Sequence, residues 1–320
     1  MVELSTSKKL ELGRLMFMWL FFTLMTTFMW GLAELFYKKG AKEEERFSHL
    51  KICVFVGFVM GAHAIGTILL GDIGYKPINL INYFPVSLCY IVSMALSFFG
   101  MRFIEESISD PIENTSGAIC SVFCVIFLKE KLSIPAIVAI IIILIGILGI
   151  GFLENNGDTA RRKKLGKTMA IIAFAMPFCY AILDALGSFL DVYFLTIETS
   201  PLTSVTSETI EEVANVSYEL TFFAVAIVLL VFMKIKKVSL EIPKQRDKIL
   251  AALCETAGQF TYVYAMSGNG AIAAPIISAV CVVSLFLSRI FLQEKLTKLQ
   301  YVFLACVIAG ILILAIIEGE

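Results

Sequence analysis

Long, uninterrupted apolar runs alternate with short polar connections along the whole chain, as in Ile134 to Leu153 and Leu299 to Ile317. Runs of this length match the roughly 20 residues a helix needs to cross a bilayer. They predict spans near 15–36, 51–70, 78–100, 109–128, 134–153, 168–190, 213–233, 248–267, 271–292 and 299–317. An outer-membrane barrel would show short alternating segments instead. Backbone groups in lipid have no water to bond, which leaves the helix as the spanning element. The first run, Leu15 to Leu35, is too long for a signal-peptide core and lacks a small-residue cleavage pattern, so it stays as the first span.

The most informative feature is a repeat. Pro111-Ile112, followed by Ile126-Phe127-Leu128-x-Glu130-Lys131-Leu132-Ser133, recurs as Pro275-Ile276 and Ile290-Phe291-Leu292-x-Glu294-Lys295-Leu296-Thr297, always 164 positions later. Gly146-Ile147-Leu148 and Gly310-Ile311-Leu312 keep the same register. A weaker echo, offset by 150, pairs Trp30 and Glu34 with Tyr180 and Asp184. A duplicated unit with an odd number of spans enters the membrane the second time from the opposite side. The predicted fold is therefore an all-α integral membrane protein of about ten transmembrane helices, arranged as two inverted five-helix repeats. The first repeat is expected over 1–153, a basic linker over 154–167 and the second repeat over 168–320. Inverted repeats with a site between them, near mid-membrane, are the plan of secondary transporters.

The Pro and F-L-x-E-K-L elements of spans four and nine, the ten-span length and Trp30-Gly31 in span one resemble the drug/metabolite transporter superfamily, in its EamA-like branch. The resemblance implies a central cavity lined by spans one to four and six to nine, with spans five and ten peripheral. It implies transport of a small metabolite without identifying it. The basic connection after span one and the acidic connection after span six depart from the usual pattern of that superfamily.

Composition agrees: 58% of residues are hydrophobic and 17% charged, too apolar for a water-soluble fold. There is no basic stripe with interleaved aromatics to suggest nucleic acid. The eight cysteines lie inside apolar stretches and read as packing residues, and two histidines offer no metal cluster. No cofactor or metal is expected. Gly268-Asn-Gly270-Ala-Ile-Ala273 follows no strand, and Gly166-Lys167-Thr168 lacks the Walker glycine, so neither reads as a nucleotide site. ATP-driven transport and an enzymatic role have no motif to rest on.

Charges in hydrocarbon are costly and mark function. Glu255 lies mid-span with Gln259 one turn on and Gly258 beside it; it reads as a cavity acid or as a protonated acid bonded to a neighbouring helix. Asp184 has the same logic, and Asp191 beyond it reads as a marker of the helix end. Glu34 precedes Lys38 by one turn and is either a cavity acid or an i,i+4 partner. Glu113 falls in the first turn of span four, where free amides and the helix dipole favour an acid, and Asp110 reads as its cap. From there Asn114, Gly117, Ser121 and Cys124 share a face; Asn114, Gly117 and Cys124 have Ser278, Cys281 and Ser288 as repeat equivalents. Small polar faces serve a cavity or plain packing. Arg289 reads as snorkelling, His63 as a hydrogen-bonded packing residue, and most of Trp30, Tyr90, Tyr180, Tyr262 and Tyr264 as interface anchors.

Acids outnumber bases among these residues, so the expected function is secondary transport of a small cationic or zwitterionic metabolite, such as an amine or amino acid, with protons as coupling ion and the lipid bilayer as the other partner. The alternatives are an uncoupled exporter of neutral amino acids and a non-transporting sensor on the same fold. Oligomeric state is not legible.

Alternating the loops between sides puts nineteen Lys and Arg on the side of the 1–2, 5–6 and 7–8 connections and six on the other, with Arg289 inside a span. Positive residues near span ends favour the cytoplasm. In a plasma or inner membrane, both termini are then expected outside the cytoplasm, against the usual orientation of the superfamily. Alkaline phosphatase fused after Glu320 should be active and green fluorescent protein at the same point dark; the reverse result restores the usual orientation.

Overall fold

The computed structural model describes residues 6–40, 45, 47–100, 112–154, 167–291 and 297–319. Arg102, Asp110, Pro111, linker residues 155–166, Glu294 and Lys295 lie outside them, as do the side chains of Ser288 and Arg289. The helices are α1 (Thr6–Gly40), α2 (Ser48–Leu70), α3 (Ile78–Asn82), α4 (Phe84–Gly100), α5 (Ser116–Phe123, continued by a π-helical turn Cys124–Leu128), α6 (Ile134–Glu154), α7 (Lys167–Leu195), α8 (Ile210–Ile235), α9 (Arg246–Ile277), α10 (Val280–Phe291) and α11 (Lys298–Gly319). There is no strand among the described residues. By length and composition, five of these helices are apolar enough to cross a membrane, within α1, α2, α7, α8 and α11, and shorter apolar helices accompany them. Large aliphatic side chains such as Ile141, Leu148, Val302 and Leu312 stay exposed on the outer faces, where lipid rather than water would meet them.

The expected spans differ from the helices where backbone chemistry intervenes. Span three is two helices, because Pro85 has no amide to carry α3 onward and the chain restarts after Tyr83. Span four is interrupted at Asn114–Thr115 and span nine at Ser278–Ala279, positions related by the same offset of 164. Between spans eight and nine the only non-helical residue is Asn269, with φ −158° and ψ 76°.

Packing follows the duplication. α1 lies along α9, α2 along α8 and α4 along α7, and the outer helices α6 and α11 pack on each other. A Cβ on Gly310 would stand 2.6 Å from Ile143 Cγ1 and 2.9 Å from the Ala139 carbonyl; a Cβ on Gly146 would strike Val307 and stand 2.9 Å from the Phe303 carbonyl. Each of these contacts maps onto the other by adding or subtracting 164, so one approximate twofold axis relates the two halves. At the heart of the molecule the interrupted helices touch, the Gly117 amide donating to Ser278 Oγ at 3.0 Å. A side chain at Gly117 would collide with Ser278 and the Ala274 carbonyl.

Polar contacts close both ends. At one, Asn79 donates to the Thr203 carbonyl (3.1 Å) and accepts from the Thr203 amide (2.8 Å), and Asn82 donates to the Pro201 carbonyl (2.9 Å). At the other, Glu45, in the α1–α2 connection, accepts from Lys51 at 2.6 Å, Gln245 at 2.8 Å and Lys248 at 2.5 Å. The Lys51 and Lys248 side chains are only 6% and 2% exposed. Burial alone would push the Glu45 carboxyl up, but hydrogen bonds from Lys248, Lys51 and Gln245 outweigh it and hold the group at about 2. A depressed value stabilises the fold above the unfolded carboxyl's value, with the contribution lost as pH falls through about 2. Glu45→Gln leaves two buried ammonium groups without their counter-charge and should cost about 3 kcal/mol, read as a lower unfolding temperature in detergent at neutral pH. Wild type and variant should converge toward pH 2, and equal stability at neutral pH would sink the idea.

Candidate functional site

The interruptions at 114–115 and 278–279 free backbone and side-chain groups at mid-depth, and around them the helices enclose a cavity of about 310 Å³. Non-helical backbone at this depth is tolerated where it borders a cavity. α1, α2, α4, α5, α7, α8 and α9 contribute to the lining, together with the residues on either side of the two interruptions, whereas α6 and α11 do not.

Four carboxylates reach this one space. Glu34 comes from α1, Glu113 from the turn before α5, Asp184 from α7 and Glu255 from α9. Each has a dipolar neighbour or a like charge close by. Ser97 Oγ donates to Glu113 at 2.8 Å. Tyr37 donates to Glu255 at 3.1 Å, and the Glu255 backbone carbonyl accepts from Trp30 Nε1 at 3.3 Å. Asp184 accepts from Ser116 and Tyr180. Glu34 is close enough to Glu255 to act on it electrostatically. The residue that approaches Gly258 is Trp30, whose indole leaves no room there for a Cβ.

Of the nine residues singled out in the sequence, Glu34, Glu113, Asn114, Gly117, Asp184, Glu255, Gln259 and Ser278 line the cavity. Ser121 does not: it is 2% exposed and its hydroxyl donates to the Gly117 and Ala271 carbonyls. Trp30, Tyr90, Tyr180 and Tyr262 are cavity walls rather than interface anchors. Tyr264 stacks on Phe22, with ring centroids 5.0 Å apart, outside the lining.

Two further acids are engaged. Asp191 does lie one turn before the end of α7, as expected, and it is also 1% exposed, with Tyr83 and Tyr90 both donating to it, Tyr90 at 2.7 Å. The Tyr262 hydroxyl lies 2.6 Å from that of Tyr90 and 3.0 Å from Ser188 Oγ, so this network joins α4, α7 and α9 at one end of the cavity. Glu219 on α8 is fully buried and meets His63 Nδ1 at 2.8 Å, giving that histidine an acid partner within the membrane. Glu219 stands inside an apolar run and was visible there, but nothing in the sequence marks His63 rather than another residue as its partner. Among the described residues no group of His, Cys, Asp and Glu could hold a metal ion.

A family model described as EamA-like transporter family matches residues 17–152 and 198–316. No curated protein matches the chain. A solved structure described only as “Crystal structure of protein” is similar over 94% of this chain and 97% of its own, with 12% identity and a TM-score of 0.67; at that identity it speaks for the fold alone.

In a cysteine-free background, single cysteines at Asn114, Ser188 and Ser278 should react with a small aqueous thiol reagent, and a cysteine at Ser121 should lag well behind. Equal rates at all four would mean the lining is not a water-accessible surface.

Proposed function

The chain belongs to the EamA-like transporter family, and from that premise we propose that it is a proton-coupled secondary transporter of a small cationic or zwitterionic metabolite. The observation that carries this reading is the convergence of four carboxylates on one aromatic-walled cavity between the two halves. An ion pair inside a cavity walled by protein is stronger than in bulk water, so carboxylates there can draw a cation out of solution. The same groups can carry protons when the substrate is absent. An alternating exchange of substrate and proton on one set of carboxylates couples the two gradients without any further machinery. The membrane is the plasma or inner membrane, with both termini on the outer side.

Within this scheme Glu255 is the acid most needed for turnover. It lies in the first half of α9, within span eight, it is held by Tyr37 from α1, and it therefore bridges the two repeats. Its loss removes a charge that both substrate and proton would use.

Purified protein in liposomes preloaded with an unlabelled mixture of amines and amino acids should exchange labelled traces of some of them, and an imposed proton gradient should drive their accumulation. Glu255→Gln should fold and insert normally yet lose about tenfold or more of the gradient-driven uptake, as expected when a buried charge partner is removed. An unchanged rate and pH profile in the variant defeats proton coupling through Glu255. Exchange that ignores the gradient even in wild type points to the uncoupled exporter, and no exchange of any labelled compound points to a non-transporting protein.

A further inference from the structure

One titratable pair takes no part in the scheme proposed above. His63 of α2 meets Glu219 of α8, its Nδ1 standing 2.9 and 2.8 Å from the two carboxylate oxygens. Neither residue lines the cavity. The Glu219 side chain is 0% exposed and that of His63 36%, so the ring is the open side of the pair. α2 belongs to the first repeat and α8 to the second, and the two pack along each other. Histidine is the side chain whose ordinary titration falls in the physiological range. A lysine or arginine would balance this buried acid at any working pH; the imidazole balances it conditionally.

The second observation is next to it. Asn215, one turn before Glu219 on α8, donates to the Glu219 carboxylate. Asn215 is 2% exposed, and its Oδ1 has no hydrogen-bond partner. A buried acceptor left unmatched is costly. An ionised carboxyl cannot match it, because it only accepts, whereas a protonated one has an O–H to donate. Turning the Asn215 amide over exchanges its donor for its acceptor. Glu219 therefore has a hydrogen-bond partner at hand in both of its protonation states.

The surroundings leave the pair to itself. From α9 the group facing His63 is the Phe260 ring, with centroids 5.6 Å apart. Glu255 of α9 is engaged by Tyr37 of α1, with Cys53 of α2 in reach of both. α3 carries no titratable side chain. On either side of Glu219 along α8, Ser217 bonds Tyr75 of the connection after α2 at 3.1 Å, and Tyr218 meets Tyr90 of α4 with centroids 5.7 Å apart. Asp184 and Asp191 of α7 act electrostatically on Tyr218. Tyr218 lines the cavity, so the turn of α8 that holds His63 also carries part of the cavity wall.

We propose that His63, Glu219 and Asn215 form a proton-binding site outside the cavity, one that latches the two repeats together. With one proton shared by the pair, opposite charges hold α2 to α8. A second proton neutralises Glu219, whose new O–H donates to Asn215 Oδ1, and the ionic hold on His63 is lost. Acid then frees this turn of α8 and, with it, Tyr218. The site goes beyond the carrier scheme, which places its protons on the cavity acids.

The chain has two histidines, so His49→Gln leaves His63 as the sole imidazole. Nitrogen NMR of labelled histidine in micelles then reads its protonation directly. Glu219→Gln should weaken proton binding by the ring about tenfold, or one pH unit. Access to the cavity is read by a cysteine at Ser278 in a cysteine-free background. The rate in Glu219→Gln is divided by the parent rate, which cancels the thiol reagent's own pH dependence. That ratio should be about fivefold near neutrality and fall to one in acid, where the parent loses the same charge. An unmoved titration, or a ratio that stays flat with pH, overturns the latch. Where Glu219→Gln does not fold, judged by its unfolding temperature, Asn215→Leu decides. It withdraws the acceptor from the protonated acid, so the acid rise in access should need a lower pH, and an unshifted rise overturns the proposal. Neither measurement uses transport, so a chain that exchanges no labelled compound defeats the carrier reading and leaves both measurements intact.

Discussion

Lipid offers neither hydrogen bonds nor counter-ions, so whatever polar group this chain carries into the membrane must be answered by another part of the chain. The arrangement of the molecule follows from that requirement. Spans four and nine are interrupted where Asn114 and Ser278 border the cavity. Asp191 is answered by Tyr83 and Tyr90 and Glu219 by His63. Glu113 is answered by Ser97 and Glu255 by Tyr37. Three of these four acids are answered across the repeats: Glu255 by Tyr37, Asp191 by Tyr83 and Tyr90, and Glu219 by His63. The polar groups therefore do what an apolar interface in lipid cannot, which is to specify how the halves meet.

Much of this was legible in the sequence. A 20-residue apolar run is read by length alone, and the 164-residue offset required no structural knowledge. The interruptions were not legible, because hydropathy sums over a window and is blind to one unbonded amide. Pro85 was visible, yet proline is tolerated in membrane helices when neighbours satisfy the backbone, so it did not by itself announce a break. The depth of Asp191 depended on where α7 ends. The chain continues helical to Leu195, one turn past it, and Tyr83, its partner, is more than a hundred positions away. Aromatic residues posed the same difficulty. A tyrosine near a helix end and a tyrosine facing a cavity look identical until the facing helix is known. Ser121 failed for the opposite reason: it shares a helix face with Gly117, but the approach of α9 at that point closes the gap and leaves its hydroxyl against the Ala271 carbonyl.

The reciprocal contacts of Gly146 and Gly310 carry a consequence for direction. Two halves related by a twofold axis in the membrane plane make a path that is, to first order, the same when traversed from either face. Such a molecule has no built-in arrow; net flow belongs to the gradients on either side. What polarity it owns comes from residues that break the symmetry. At one end three tyrosines gather around Asp191, and at the other Glu45 is gripped by two lysines that have no counterpart across the axis. The first end is sealed by neutral hydroxyls on a single acid, the second by full opposite charges withdrawn from solvent and so little screened by salt. The two faces of the protein thus part at different electrostatic cost, although the halves that form them began as copies of one unit.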